Sequence, residues 1–545
     1  MPGSLPTLNR RRFLAATSFS LGALALRGYP VLAAAPVHFT HGIASGDPLQ
    51  DSVILWTRVL PGSGEADMVS VDWELARDED FAEVVSRGQT QTGPDRDYTV
   101  KVDATGLEPG QRYFYRFLSE GIESPVGRTR TLMAGGLDDV RLAVVSCSNF
   151  PQGYFNVYHA IAERELDAVV HLGDYIYEYG ADRNVNPLME GKGRRVKPEH
   201  EILSLEDYRM RYGLYRSDAD LQAVHQAHPF ICVWDDHEVS NNTWKTGAEN
   251  HNEGEGDFFD RRRVAIQAFY EWLPIREQSS IEEGRIYRSF EFGDLASLIM
   301  LDTRLIGRDQ QLTHDMGIDV IRSGLADDGR SIMGREQEQW LADELEKSKA
   351  AGKPWQIIGQ QLLMGRLNAP QLADEEFDPA QLHSVLSGRY GMLRTRGRQG
   401  LPYNLDAWDG YPACRSRVYD AIKAHANNAV VLAGDSHSTW AFDLHDDEGH
   451  PVAVEFATPS VTSSGYENLV PQVPEARVAE ATLEASPELQ HMKANGRGWL
   501  ELEVSSTEVE ATWRYVSTIV ATEFEVLPGA RLLTKAGEHL IERKA

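Results

Sequence analysis

From residue 140 onward, short apolar runs end repeatedly in polar, often acidic, residues. Runs of four or five apolar residues suit buried strands, and helical patterns such as Arg335–Lys349 lie between them. The runs are Leu142–Val145, Ala168–Leu172, Phe230–Trp234, Leu298–Leu301, Trp355–Ile358 and Ala429–Ala433. Strands that alternate with helices predict an α/β domain, and in open α/β sheets the sites lie beyond the carboxyl ends of the strands.

The residues that follow these runs are types that ligate metals. They are Cys147, Asp174, Tyr177, Asp235, Asp236, His237, Gln360, Asp435 and His437. Carboxylates are hard ligands suited to calcium, magnesium or manganese, whereas a thiolate favours iron or zinc. A tyrosine binds metal as phenolate, which requires a strong Lewis acid such as ferric iron. Each residue alone has a structural explanation, such as a helix cap at Asp236, but their order at successive strand ends predicts a metal site.

Two other regions alternate apolar and polar residues with a period of two. Between Val37 and Leu132 the alternating runs are Ser52–Val59, Val69–Glu74, Tyr98–Val102 and Tyr113–Leu118. They predict an all-β sandwich that ends near Gly135 and serves either as a binding module or as a packing domain. The stretch Leu107–Tyr113 resembles the tyrosine corner of fibronectin type III-like sandwiches. Trp499–Val504 and Val509–Tyr515 alternate like a hairpin and predict a further antiparallel sheet.

The first 35 residues have the pattern of a removable export signal. Three adjacent arginines, Arg10–Arg12, precede Phe13-Leu14 and a short apolar run, and alanines follow at 33–35. This pattern resembles a twin-arginine signal, and the run is too short for a membrane span. We therefore predict a signal peptide (1–35), an N-terminal β-sandwich domain (36–135) and an α/β domain with a C-terminal extension (136–545). We also expect the twin-arginine translocase as a partner, a periplasmic or secreted location, and no stable membrane anchor.

The charge balance restricts the classes of partner. The 545 residues carry a formal net charge of −28, with 42% hydrophobic and 25% charged residues. The composition is globular, and the acidic surface disfavours nucleic acid and anionic lipid, because both are polyanions. The 3 cysteines are too few for a disulfide framework.

Three of the strand-end motifs resemble one known family. They are Gly173-Asp174-x-x-Tyr177, Asp236-His237-Glu238 and Gly434-Asp435-x-His437. Together they are similar to the calcineurin-like metallophosphoesterase pattern, with Cys147, Asp236 and Asp435 at positions where that pattern usually has other residues. The same three substitutions are found in the PhoD-type alkaline phosphatase family, which this sequence resembles. The segments Ser45–Pro48 and Leu55–Arg58 are also similar to that family. The resemblance implies a metallophosphoesterase-type β-sandwich flanked by helices, preceded by an all-β fibronectin III/Ig-like sandwich domain.

The resemblance also implies a ligand set for one ferric ion with calcium beside it. Fe³⁺ would be held by Cys147, Asp174, Tyr177 and His437. Ca²⁺ would be held by Asp174 as a bridge, Asp236 and Asp435, with Gln360 as a further candidate. Two additional aspartates make the second site harder and more anionic, which independently favours Ca²⁺ over Zn²⁺.

The implied activity is metal-assisted hydrolysis of small phosphoesters. His237 is placed to protonate the leaving alkoxide or to hydrogen-bond the phosphate, with Glu238 or Asp235 orienting it. Arg304 is either a contact of the substrate phosphate or a solvated side chain. The resemblance implies an alkaline phosphatase that also cleaves phosphodiesters, and the alternative is a phospholipase D or other phosphodiesterase of the same family. A non-catalytic binding protein is a further alternative, disfavoured by the presence of His237. No Gly-x-Ser-x-Gly motif occurs, which disfavours a covalent serine mechanism.

Overall fold

The computed structural model describes residues 39–61, 68–370, 372, 376, 391–392, 395–468 and 472–543. The predicted export signal, residues 1–35, lies outside the described residues. Within the described part of the chain, no helix combines the length and apolar character that crossing a membrane requires.

After residue 139, helices lie between most of the consecutive parallel strands, as the apolar runs predict. The strands are β1 (Ile43–Gly46), β2 (Ser52–Arg58), β3 (Val69–Ala76), β4 (Val84–Thr92), β5 (Thr99–Thr105), β6 (Arg112–Ser119), β7 (Ile122–Glu123), β8 (Gly127–Arg130), β9 (Asp139–Val145), β10 (Ala168–His171), β11 (Pro229–Cys232), β12 (Arg288–Phe292), β13 (Ala296–Met300), β14 (Trp355–Gly359), β15 (Ala429–Ala433), β16 (Thr439–His445), β17 (Pro451–Ala457), β18 (Leu489–Lys493), β19 (Arg497–Ser505), β20 (Glu508–Val516), β21 (Val526–Lys535) and β22 (Glu542–Arg543). The helices are α1 (Asn156–Ala162), α2 (Leu205–Arg216), α3 (Ala219–Ala227), α4 (Phe258–Trp272), α5 (Ile318–Leu325), α6 (Arg335–Ala350), α7 (Pro412–His425) and α8 (Glu475–Ala485). Each of the six predicted apolar runs overlaps a strand, namely β9, β10, β11, β13, β14 or β15.

The first large sheet has ten strands in the order β22–β21–β20–β19–β9–β10–β11–β1–β2–β5. Strands β9, β10 and β11 run parallel, with His171 opposite both Val145 and Cys232. The hairpin β19–β20 pairs antiparallel with β9, where Leu500 lies opposite Val144. The prediction of a separate C-terminal sheet was therefore wrong, because the hairpin pairs with the edge of β9 that would otherwise expose unpaired backbone groups.

The second large sheet has seven strands in the order β12–β13–β14–β15–β17–β16–β18, and β13, β14, β15 and β17 run parallel. One hydrophobic core contains side chains from both large sheets, for example Val144, Leu298 and Leu432. A second core joins this sheet to α6 and α7, through residues such as Leu341 and Val418. The two sheets thus form a sandwich whose second sheet is covered by helices.

The N-terminal strands have a core of their own but also extend the first large sheet. Strands β3, β4, β6, β7 and β8 form a separate five-stranded sheet, whose core they share with β1, β2 and β5. Strand β1 pairs in parallel with β11, with Ser45 opposite Pro229. A buried ion pair also joins Asp47, which follows β1, to β12 of the second large sheet, because Arg288 Nη2 donates to Asp47 Oδ1 at 2.6 Å.

The carboxyl ends of the parallel strands of both sheets meet at one edge of the sandwich. The turn after β9 pairs with the turn after β17 through a bridge between Ser146 and Ser460. The turn after β10 packs tightly against the turn after β11. Gly173 has φ 103°, and a Cβ there would lie 2.3 Å from the Asp235 nitrogen, so only glycine fits. This close approach brings the polar residues of successive turns together.

Candidate metal centre

Four of the predicted ligands form one cluster at this edge, which we term the mixed-donor cluster: Cys147, Asp174, Tyr177 and His437. One ligand atom from each of Cys147, Asp174 and His437 lies within 4.8 Å of the others. The Tyr177 hydroxyl donates to Asp174 Oδ2 at 2.8 Å and lies 3.3 Å from His437 Nε2. The cluster therefore presents a thiol, a carboxylate, a phenol and an imidazole to one point.

The backbone at this edge adopts conformations that are uncommon for residues other than glycine. The φ angles are 62° at Cys147, 57° at Asp174 and 59° at His437. Asp435, two residues before His437, has φ 55°. Left-handed backbone at four predicted ligands is a concentration of local strain, which is typical of functional sites.

Burial sets the protonation of the mixed-donor cluster. It raises the pKa of the Cys147 thiol and of the Tyr177 phenol, and the nearby Asp174 carboxylate adds to both shifts. Burial lowers the pKa of His437 to about 4, so its ring is neutral. His437 Nδ1–H donates to the Ser464 carbonyl at 2.8 Å, which leaves Nε2 as the nitrogen that can bind metal. A cation that binds here must displace protons from sulfur and oxygen, which suits a strong Lewis acid.

A second group, which we term the carboxylate cluster, contains Asp235, Asp236 and Asp435. One oxygen from each lies within 4.8 Å of the others, and Asp236 forms a similar group with Asp174 and His237. The Asn242 backbone N–H donates to Asp236 Oδ2 at 2.6 Å. Burial opposes ionisation of Asp236, but the positive charges of Arg304 and His237 outweigh it and hold its pKa below the ordinary value.

Unpartnered oxygens in these clusters fit hard cations. Among the described residues, Asp174 Oδ1, Asp235 Oδ2 and Asp236 Oδ1 are buried without a hydrogen-bond partner. Burial raises the pKa values of Asp174 and Asp235, and that of Asp435 to about 6. Buried carboxylate oxygens without partners are costly, and cation ligation satisfies them. The residues present therefore fit a site for metal ions.

Arg304 lies among the carboxylates. Its Nε donates to Asp235, Nη1 donates to Asp406 Oδ2 at 2.8 Å, and Nη2 donates to Asp435 Oδ1 at 2.9 Å. Its side chain is 0% exposed. The Arg304 guanidinium is therefore buried among these carboxylates, and it is not a solvated side chain. Asp406, which completes this network, was not predicted.

His237 lies between the two clusters and is held by Glu178. Its Nδ1–H donates to Glu178 Oε2 at 2.6 Å, and Glu178 Oε1 accepts from the Asn241 backbone N–H at 2.9 Å. Burial opposes the charged ring, but Asp236 and Glu178 outweigh it and raise the pKa of His237 well above its ordinary value. Within the described chain, Nε2 has no hydrogen-bond partner, so a protonated nitrogen remains available.

The partner of His237 is Glu178, and not Glu238 or Asp235, the two residues predicted to orient it. The structure places Glu238 elsewhere: its carboxylate accepts from the backbone N–H of Asp174 at 3.1 Å and of Asp235 at 2.8 Å. Glu238 thus fixes the two turns that carry ligands, and Asp235 pairs with Arg304. The sequence contained no spacing that links Glu178 to His237, because the two residues lie in turns after different strands.

The side-chain oxygen of Gln360 is not free to bind a metal ion in either cluster. Its amide oxygen accepts from the Leu362 backbone N–H at 2.9 Å and from Trp408 Nε1–H at 3.1 Å. Its amide nitrogen donates to the Leu362 carbonyl. Both lone pairs of the oxygen are therefore engaged within the protein.

Comparison with protein families gives two matches along the chain. The PhoD-like phosphatase family matches residues 142–513, and the N-terminal domain of PhoD-like phosphatases matches residues 26–133. The two matches include the second large sheet, the separate five-stranded sheet and most of the first large sheet, whose strands β21 and β22 lie after the matched residues.

Comparison with single proteins agrees with the family match. Alkaline phosphatase D of Bacillus subtilis (strain 168) is 37% identical over 533 residues, which covers 95% of this chain and 83% of that protein. A solved structure of PhoD superposes with a TM-score of 0.79 at 34% identity, covering 94% of this chain and 93% of the other. A purple acid phosphatase from yellow lupin (Lupinus luteus) seeds shares the fold, with a TM-score of 0.52 at 11% identity, covering 87% of this chain and 71% of that one.

Proposed function

The chain belongs to the PhoD-like phosphatase family and hydrolyses phosphoric esters, and from that premise we propose that it is an exported, metal-dependent enzyme. It releases phosphate from phosphomonoesters at alkaline pH and also cleaves phosphodiesters. The observation that supports the proposal is that Asp174 lies within reach of both clusters. It forms one group with Cys147 and His437, and a second group with Asp236 and His237.

Two different cations are proposed, because the two clusters offer different donors. Fe³⁺ is held by Cys147, Asp174, Tyr177 and His437, since thiolate, phenolate and imidazole ligands suit it. Ca²⁺ is held by the oxygens of Asp174, Asp236 and Asp435, which are ligands that hard cations prefer. Gln360 is left out of the proposed ligand set, because its amide is already engaged. When bound, such cations offset charge on the phosphate oxygens and lower the pKa of a water molecule.

His237 supplies the proton for the leaving group. Its Nε2–H is available within the described chain, while Glu178 fixes Nδ1 at 2.6 Å and so orients the ring. The ion pair with Glu178 favours the protonated ring, which allows Nε2 to donate to the ester oxygen as its bond to phosphorus breaks. The ring of Tyr177 packs against His237 with centroids 4.2 Å apart and restricts its motion further.

Arg304 keeps the carboxylate cluster in place. Its three donors reach Asp235, Asp406 and Asp435, so it offsets part of their repulsion and fixes the direction of their oxygens. We therefore assign it a positioning role and no substrate contact.

Export through the twin-arginine translocase to a periplasmic or secreted location is proposed from residues 1–35 alone. Substitution of Arg10 and Arg11 by lysine tests it, because the proposed signal requires the arginine pair. We expect the variant to stay inside the cell, measured by fractionation, while the unmodified protein leaves it.

The N-terminal segment, residues 36–135, is proposed as a fibronectin III/Ig-like sandwich domain, with residues 136–545 as the catalytic domain. The Glu108 backbone N–H donates to the Tyr113 hydroxyl at 3.0 Å, which is the contact expected of a tyrosine corner. The strands of the segment also share a separate hydrophobic core.

Elemental analysis of the purified protein, with its visible spectrum and its hydrolysis rates, tests the proposed activity. We expect about one iron per chain with calcium, and a violet absorption band from phenolate-to-iron charge transfer. The rates should be compared on 4-nitrophenyl phosphate and bis(4-nitrophenyl) phosphate, which separate monoesterase from diesterase activity. Zinc or manganese in place of iron would contradict the ferric assignment, and activity in a metal-free protein would contradict the mechanism.

A further inference from the structure

A cavity of about 180 Å³ adjoins the mixed-donor cluster, and His437 lies in its wall. Two leucines and three aromatic residues form its apolar lining, namely Leu363, Leu367, Tyr403, Trp440 and Tyr466. The rest of its wall contains polar residues, among them Asn404, Ser436 and Ser464. No function assigned above uses this cavity.

Residues in the cavity wall either contact residues of the two clusters or lie next to such contacts in the sequence. The Ser464 carbonyl accepts from His437 at 2.8 Å, and Ser463 Oγ donates to the Tyr177 hydroxyl at 2.7 Å. On another side, Asn404 Oδ1 accepts from the backbone N–H of Asp406, the residue that binds Arg304. The cavity therefore lies directly beside the two clusters and shares His437 with the mixed-donor cluster.

The shape and lining of the cavity select one kind of occupant. The rings of Tyr403 and Tyr466 lie 14° from parallel with centroids 6.4 Å apart, and Trp440 meets Tyr466 at 62°. Aromatic walls favour a flat ring, and an apolar cavity of about 150 Å³ is known to hold benzene. Among the described residues that line it, none is Asp, Glu, Lys or Arg, and burial keeps the His437 ring neutral, which favours a neutral group over a charged one.

We propose that this cavity binds a neutral, flat, six-membered ring in the organic part of the ester, and so determines substrate preference. The inference rests on the proposed function, because it takes the phosphate to bind at the clusters. It names the substrate class as phosphoesters of ring-bearing alcohols, in contrast to esters of short aliphatic alcohols.

The test compares two phosphomonoesters in the complete, metal-loaded enzyme. Phenyl phosphate carries the ring, and 2,2,2-trifluoroethyl phosphate is a ringless ester of an acidic alcohol. For each protein the ratio of kcat/KM for phenyl phosphate to kcat/KM for the trifluoroethyl ester is measured. We expect Tyr403→Ala to lower this ratio by about tenfold, in the range that loss of one stacking surface produces.

Two variants serve as controls. Tyr403→Phe keeps the aromatic face and should keep the ratio of the unmodified enzyme. Phe259→Ala removes an aromatic ring that is 53% exposed on α4 and outside the cavity, and it should also keep that ratio. If Tyr403→Ala lowers kcat/KM for both esters equally, or if Tyr403→Phe loses the preference, the proposed ring site is wrong.

Inhibition of the unmodified enzyme gives a measurement that does not depend on the folding of any variant. Phenylphosphonate should compete with substrate about tenfold more tightly than methylphosphonate, because only the former places a ring in the cavity. Equal inhibition by the two phosphonates would overturn the ring site while leaving the hydrolase intact. An unmodified enzyme that hydrolyses no phosphoester would instead contradict the proposed function.

Discussion

The mixed-donor cluster and the carboxylate cluster lie at one edge of the same sandwich, but they differ in the positive charge that the protein itself supplies. Among the described residues, no lysine or arginine hydrogen-bonds a donor side chain of the mixed-donor cluster. In the carboxylate cluster, Arg304 binds Asp235 and Asp435. The comparison indicates that the mixed-donor cluster, which has only His237 near Asp174, depends more on a bound cation for charge balance than the carboxylate cluster, which Arg304 partly balances.

The ligand atoms of the two clusters also differ in the kind of cation that they favour. Cys147 and Tyr177 must lose protons to bind a cation, which selects a strong Lewis acid that exchanges slowly. Asp236 and Asp435 are hard oxygen ligands, which suit a cation that exchanges more readily. The following predictions test this division.

Cys147→Ala should have the largest combined effect, on metal content and on activity, because it removes the thiolate from the mixed-donor cluster. We expect iron and the violet band to be lost and kcat/KM to fall about 10³-fold, since a catalytic metal supplies several kcal/mol of transition-state stabilisation. Cys232→Ala is the matched control, because Cys232 is equally buried but lies in β11 outside both clusters. Full iron content in Cys147→Ala would remove the thiol from the ligand set.

His237→Ala should separate metal binding from the chemical step. We expect unchanged iron and calcium contents and a loss of kcat between about 10²- and 10⁴-fold, the usual contribution of a general acid. The loss should be larger for an alkyl ester than for 4-nitrophenyl phosphate, because a good leaving group needs less protonation. Equal losses for the two esters would show that His237 does not act as the acid.

Asp435→Asn should affect the carboxylate cluster alone. We expect calcium content to fall, while iron and the violet band remain. The value of kcat/KM should drop about 10²-fold, because the Lewis-acid contribution of calcium is lost and that of iron is kept. Treatment of the unmodified enzyme with EGTA should give the same state, and added Ca²⁺ should restore activity. Loss of iron together with calcium would mean that the two clusters do not bind metal independently.

Glu178→Gln should lower kcat by about 10- to 100-fold, the range found when the hydrogen-bond partner of a functional residue is changed. The physical reason is that an amide holds the His237 ring less firmly and no longer stabilises its charged form. Metal contents should stay unchanged. Glu201→Gln, which alters a nearby carboxylate bound to Arg261, is the control and should keep full activity. A Glu178→Gln enzyme as active as the control would rule out its orienting role.

Arg304→Lys should have the smallest effect on catalysis, about tenfold in kcat/KM, because it acts through the positions of other residues. A lysine keeps the charge but cannot reach Asp235, Asp406 and Asp435 together. We expect KM for phosphate esters to change less than kcat, since Arg304 is not assigned a substrate contact. A large rise in KM with kcat unchanged would return Arg304 to the substrate-binding role that the sequence first indicated.

Much of the fold was predictable, because it depends on local patterns. The apolar runs before Cys147, Asp174 and Asp435 are long enough for buried strands and too short for helices, and each overlaps a strand. The alternating hairpin near the C-terminus was also recognised. Its pairing with β9 was not, because strand neighbours are chosen by tertiary packing and the alternation is the same for any partner.

The metal-ligating residue types were predictable from the motifs, but their supporting contacts were not. Glu178 and Asp406 have no motif, and they meet His237 and Arg304 only through the convergence of distant turns. Arg304 illustrates the limit most clearly, since an arginine after a strand reads equally well as a phosphate contact or as a solvated charge.

The sequence by itself determined which residues follow each strand and therefore which donor atoms are available at one edge of the sandwich, because strand length and hydrophobic pattern are local properties of the chain. Only the tertiary structure decided which donors belong to which cluster, that Glu178 and not Glu238 holds His237, and that Arg304 is buried among aspartates. It also formed the aromatic cavity beside His437, whose walls come from segments far apart in the chain. The physical reason is that charge balance and close packing depend on distances in space, and those arise only when the two sheets pack together.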